Sequence, residues 1–146
     1  MIKEAGCIDV QTDPSLLTVN PNDFQSRNNA AEGARLNFSV RGLQSAFERI
    51  FFNVRASHPF AASNVTISLK ALYERDEAKK KVFYEERVLQ EQKGPFQPLV
   101  FLTSGGTGHC CTKEIKTMAG KIASKKGENY AQVTDFVRTI LCFALL

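Results

Sequence analysis

Two runs of alternating apolar and polar residues, Leu36-Asn-Phe-Ser-Val40 and Ile50-Phe-Phe-Asn-Val-Arg-Ala-Ser57, constrain the fold of this chain more than any other feature. Successive side chains of a strand point to opposite faces, so Leu36, Phe38 and Val40 lie on one side and Asn37, Ser39 and Arg41 on the other. In the second run Ile50, Phe52, Val54 and Ala56 face the core, while Phe51, Asn53, Arg55 and Ser57 share the opposite face. The connection between the runs is short, and they pair most simply as an antiparallel hairpin over residues 36–57. Such a hairpin brings Asn37 and Asn53 near each other on an exposed surface.

Other elements follow from local signals. Cys7-Ile-Asp-Val-Gln-Thr alternates and stops at Asp13-Pro14, as a first strand does, and residues 20–33, rich in Asn, Asp, Ser and Gly, read as a loop. His58-Pro59 ends the third strand. Ser68 is placed to cap a long helix reaching about Gln92, with Leu69, Leu72, Tyr73, Phe83 and Val88 as its apolar stripe and residues 74–81 as a solvated charged stretch. Gly94-Pro95 stops it. Pro98-Leu-Val-Phe-Leu102 suits a buried strand, and Ser104-Gly-Gly-Thr-Gly108 turns the chain into a helix marked by Ile115, Met118, Ala119, Ile122 and Ala123. A last helix carries Tyr130, Val133, Phe136, Val137, Ile140, Leu141 and Ala144. This order predicts an α/β (α+β) domain with a mixed sheet, and 146 residues with 43% hydrophobic content suit one globular core. The chain stops at Leu146 inside an apolar stripe, so a truncated last helix is expected.

Composition excludes several functions. The four cysteines, Cys7, Cys110, Cys111 and Cys142, form no CxxC pair and no regular ladder, so a disulfide scaffold is not expected. The first residues lack an apolar signal region, and no stretch approaches the roughly 18 apolar residues of a membrane span. An intracellular, soluble protein of the nucleus or cytoplasm with no membrane partner is expected, and the acceptor patterns at Asn37 and Asn64 read as chance matches. Adjacent cysteines chelate one tetrahedral ion poorly and His58 is the only histidine besides His109, so no metal site is expected there. The Gly105-Gly-Thr-Gly108 loop lacks the Lys-Ser/Thr of a P-loop and reads as a tight turn. A net charge of +4, with Lys79, Lys80 and Lys81 in sequence, suits a polyanion partner.

At Asn37 and at Asn53-Val-Arg55 the chain resembles the PD-(D/E)XK nuclease superfamily, in which an Asp opens one strand and an acidic-x-Lys triplet lies on the next. The resemblance spans most of the chain, from about Cys7 to the final helix. More narrowly, Ala34-Arg-Leu-Asn-Phe-Ser-Val-Arg-Gly42, Phe51-Phe-Asn-Val-Arg-Ala-Ser-His-Pro59, Pro98-Leu-Val-Phe101 with Gly105-Gly-Thr-Gly108, and Phe143-Ala-Leu-Leu146 look like a domain at the C-terminus of reverse-transcriptase proteins from invertebrate mobile elements. The resemblance implies a restriction-endonuclease-like core, truncated at both ends, with the family's first helix missing and Glu4 too close to the first strand to replace its acid.

In that domain both strands carry aspartates where Asn37 and Asn53 stand here, and paired carboxylates hold the Mg²⁺ that activates water and neutralises the scissile phosphate. An Asn offers a neutral carbonyl oxygen in place of a charge. The resemblance therefore implies an inactive remnant of a metal-dependent nuclease needing no cofactor as it stands. Arg55 occupies the place of the family's Lys, and Glu77, Lys80 and Tyr84 on the long helix are candidate accessory residues. Residual DNA binding would use Arg41, Arg55, Lys79, Lys80 and Lys81 on phosphates, without sequence preference. Two other readings stay open. One is an active Mg²⁺-dependent endonuclease of a retroelement recruiting Glu48 or Glu77, the other a non-catalytic interaction or structural domain that docks a protein partner through the apolar C-terminal helix.

Overall fold

In the computed structural model, residues 9–12 and 37–144 are described. They form β1 (Asp9–Thr12), β2 (Phe38–Arg41), β3 (Arg49–Ser57), α1 (Leu69–Gln92), β4 (Phe96–Leu102), α2 (His109–Lys126) and α3 (Tyr130–Ala144). This is the expected order in a mixed α/β arrangement. Cys7, Leu36, the loop over residues 20–33, Glu4 and the terminal Leu145-Leu146 lie outside the described residues. No helix among the described residues is long and apolar enough to cross a membrane.

The sheet runs β1-β2-β3-β4. β1 and β2 are antiparallel, and so are β2 and β3, with Phe38 opposite Phe52 and Val40 opposite Ile50. β4 lies parallel to β3, with Asn53 opposite Pro98. A parallel pair needs a crossover, and α1 supplies it. Ser68 caps α1 as expected, its hydroxyl accepting from the Ala71 amide at 3.1 Å. The helix ends with Lys93 in the left-handed region, at φ 52°. Gly94 then passes so near β3 that a Cβ would lie 2.5 Å from the Arg49 carbonyl.

Both faces of the sheet are covered. On one, Ile50, Phe52 and Val40 join Leu99 and Phe101 under Ile115, Ala119 and Ile122 of α2 and Val133 and Val137 of α3. Phe38 stacks on Phe52 with centroids 4.8 Å apart. On the other, Phe51 and Phe96 meet Tyr84 and Val88 of α1. The polar face of the hairpin is therefore not the open surface expected from alternation, since Ser39, Phe51, Asn53 and Ser57 are all buried. Alternation reports which side chains share a face and is silent on what covers it.

The apolar stripe of α1 also differs from expectation. Leu69 is 54% and Phe83 42% exposed, whereas Leu72, Asp76, Glu77, Tyr84, Arg87 and Val88 are buried. The stretch 74–81 is consequently not a solvated run. Asp76 and Glu77 turn inward because partners await them on β3 and at the start of α2, while Glu74 and Lys79 stay exposed. On α3 the exposed Tyr130 and Phe136 depart from the expected stripe, while Val133 and Val137 keep to it.

β4 ends at a loop that doubles back along it. The Leu102 amide donates to the Gly106 carbonyl and the Gly108 amide to the Val100 carbonyl, each at 2.8 Å. Gly105 adopts φ 96°, and its amide donates to the Leu102 carbonyl at 2.9 Å. These amides serve the turn and do not converge on a phosphate cradle.

Phe52 is 1% exposed and central to the larger core. Phe52→Ala is expected to lower stability by about 3–5 kcal/mol, read as a fall in the urea midpoint with little change in slope.

Candidate functional site

The α1-facing row of β3, Phe51, Asn53, Arg55 and Ser57, starts apolar and becomes polar toward its end. The β2–β3 register ends with Phe38 opposite Phe52, and Asn37 lies just before it. The Asn37 amide donates to the Phe52 carbonyl at 3.1 Å, and its Oδ1 accepts from the Val54 amide at 2.6 Å. The side chain thus supplies the acceptor that a backbone carbonyl would have given, and Asn37 is bonded to the backbone on either side of Asn53, which is itself buried rather than on the exposed face expected.

Beyond Asn53 the row meets Asp76, which is completely buried. Asp76 Oδ2 accepts from the Ser57 hydroxyl at 2.5 Å and pairs with Arg55 Nε at 3.1 Å. Its Oδ1 accepts from Arg75 Nε at 3.2 Å, and Arg75 reaches on to Asn64 Oδ1 at 2.7 Å. Asn64 in turn donates to the His58 carbonyl at 2.8 Å. One carboxylate therefore ties the end of β3, the following loop and α1 together.

Lys80 stands one helical turn beyond Asp76, its ammonium 5.5 Å from the Tyr84 ring centroid. Burial pushes its pKa down, the charge of Arg55 pushes it further in the same direction, and Asp76 partly opposes them. Two cations thus crowd a carboxylate that is already engaged, and an anion arriving there would relieve their repulsion. Arg55 keeps 39% of its side chain exposed, so that charge is reachable.

The remaining candidates separate. Glu77 does not join this group: its Oε1 accepts from the Cys110 amide at 3.0 Å, capping α2 from another element where the N-cap residue, Gly108, has no side chain to do so. A Cβ on Gly108 would lie 2.3 Å from that oxygen. Lys79, Lys80 and Lys81 do not form one patch, because consecutive helical residues diverge by about 100°. Lys79 is exposed, Lys80 lies over the Tyr84 ring where the charge of Arg55 reaches it, and the charge of Lys81 is felt at Cys110. Arg41 pairs with Asp9 at 3.9 Å and lies opposite Arg49, the residue that begins β3. It is about 20 Å along the strand from Arg55. Glu48 is exposed on the β2–β3 connection.

Sequence reasoning missed Asp76. The signal existed in the spacing of four along Leu72, Asp76, Lys80, Tyr84 and Val88, which puts all five on nearly one side of α1. Among the described residues, no group of three or more His, Cys, Asp or Glu could hold a metal ion. The Cys111 thiol is pushed up to about 12 by burial, with the charges of Glu77, Cys110 and Glu114 adding to it. Cys110 is also raised, by burial first and then by Glu77. Both stay protonated and are poor nucleophiles. No protein-family model, no curated protein and no solved structure matches the chain.

Two carboxylates give opposite pH signatures. Burial acts to raise Asp76, but the Ser57 hydroxyl, Arg55 and Arg75 together outweigh it and hold the carboxyl below its ordinary value. Its stabilisation is present above the unfolded value of about 3.9 and is lost as pH falls through the folded value. Asp76→Asn is expected to lower stability at pH 7 by about 1–3 kcal/mol and to flatten the acid limb of the stability–pH profile. Glu114 on α2 is buried, its Oε1 accepting from Gln44 Nε2 at 2.8 Å while Oε2 meets no donor among the described residues. Burial raises its pKa against the weaker opposing effects of Gln44 and Lys113, so ionisation of this group works against folding as pH rises past about 4.3. Glu114→Gln should raise the melting temperature at pH 7, with the gain vanishing in acid where both side chains are neutral.

Proposed function

We propose that the chain is a PD-(D/E)XK-like domain derived from a mobile element, with a restriction-endonuclease-like core, that has lost metal-dependent cleavage and retains nonspecific DNA binding through phosphate contacts. The observation that carries this reading is the partly exposed guanidinium of Arg55, two residues beyond Asn53 on the strand where the resemblance sets the metal site, held on Asp76 with Lys80 one helical turn from that carboxylate along α1.

The residues present do not fit Mg²⁺. Both Asp76 oxygens are taken by Ser57, Arg55 and Arg75, and Asn37 Oδ1 is taken by the Val54 amide. A hard divalent cation depends on negative ligand charge, which Asn37 and Asn53 do not provide. A phosphate group needs the reverse. Arg55 has a partly exposed planar guanidinium that suits phosphate oxygens, and Lys80 adds a compact charge from the facing helix.

Fluorescence-anisotropy titrations with duplex DNA at several salt concentrations test the binding. Affinity at low salt should fall with a log–log slope of about −2 for two phosphate contacts, and Arg55→Ala with Lys80→Ala should remove most of it. The parent should leave plasmid DNA intact with Mg²⁺ or Mn²⁺. The double substitution Asn37→Asp and Asn53→Asp should bind Mg²⁺ in calorimetry where the parent does not. No affinity at low salt, or nicking by the parent, would refute the reading.

A further inference from the structure

Phe60 follows β3 in the loop that leads to α1, and its side chain is 76% exposed. The loop is well braced for a surface connection. The Ala61 amide donates to the His58 carbonyl at 3.2 Å, the Asn64 amide to the Ala61 carbonyl at 2.7 Å, and the Phe60 amide to His58 Nδ1 at 3.1 Å. The His58 ring stands edge-on to Phe60, centroids 6.0 Å apart and planes at 76°. An exposed aromatic ring is thus held in a defined orientation. Val65 and Leu69, 59% and 54% exposed, add apolar surface on the same connection and the first turn of α1.

This loop is wired to the cations. The His58 carbonyl holds Asn64, Asn64 holds Arg75, and Arg75 shares Asp76 with Arg55. A flat apolar ring tied through this relay of hydrogen bonds to a cationic group suits a ligand that combines a flat π-face with negative charge, and nucleotides have both. In a duplex the base faces are already stacked on one another, whereas an unpaired base can swing onto a protein ring. We propose that Phe60 is a stacking platform for an unpaired base, so that the nucleic acid best held at Arg55 and Lys80 is single-stranded. This inference rests on the nucleic-acid reading above and narrows its ligand.

The test compares a labelled short oligothymidylate with a duplex of the same length at low salt. The parent should prefer the single strand, and Phe60→Ala should weaken that ligand about tenfold, as loss of one stacked base does, while leaving duplex affinity unchanged. Phe47→Ala is the control, since Phe47 is 92% exposed but lies before β3, at its opposite end. It should alter neither titration. The chain has no tryptophan, so Phe60→Trp introduces its only indole, whose fluorescence should be quenched by the oligothymidylate and not by the duplex. Parent binding of both ligands with no selective effect of Phe60→Ala, or with no quenching, overturns this inference alone. Failure of the parent to bind either ligand overturns it together with the function proposed above.

Discussion

Asp76 is a charged group with no contact with water, in the first half of the helix that connects the two parallel strands. Removing a carboxylate from solvent is costly unless donors replace the lost hydration, and here Ser57 and Arg55 come from β3 while Arg75 comes from the helix itself. Apolar contact alone lets a helix slide on a sheet. A shift of α1 by one turn, about 5.4 Å, would take Asp76 away from its two donors on β3 and leave only Arg75, which moves with the helix. The ion cluster thus sets the axial position of α1 over β3, and with it the place of Lys80 relative to Arg55.

The same helix organises the next element through Glu77. Adjacent residues on a helix point about 100° apart, so Asp76 turns to β3 while Glu77 turns to the start of α2 and accepts from the Cys110 amide. The close approach at Gly108 is part of that arrangement, because any larger residue would displace the carboxylate. Farther along, Arg87 pairs with Glu91 at 3.3 Å with both side chains largely buried. α1 therefore packs through charges satisfied at fixed places, and the exposed cations of the site are those these pairings leave reachable.

Much of the frame was readable in the residues. Period-two alternation located β2 and β3, Ser68 marked the start of α1, Gly94-Pro95 marked its end, and the apolar spacing of α2 matched the side chains it buries. The inner side of α1 was not readable in the same way. Hydropathy assigns Asp76 and Glu77 to solvent, and only the arrival of Ser57, 19 residues earlier, or of the Cys110 amide, 33 residues later, makes their burial tolerable. Alternation and the short connection implied that Asn37 lies next to the Phe52–Val54 stretch of β3, but not that Asn53 is buried. What alternation could not convey is that Asn37 Oδ1 is occupied by the Val54 amide, a detail of where β2 begins.

The turn after β4 has a consequence for association between chains. Strand edges offer unpaired amides and carbonyls on which a second polypeptide can add. Here residues 105–108 fold back so that Thr107 bridges Phe101, and the loop's own backbone occupies that position. Extending the sheet past the Val100–Leu102 end of β4 with a strand from another copy would require peeling this loop away, and Gly108 would move off Glu77 as it went. Growth of the sheet at that side is thereby coupled to loss of the α2 cap, which penalises polymerisation through the edge.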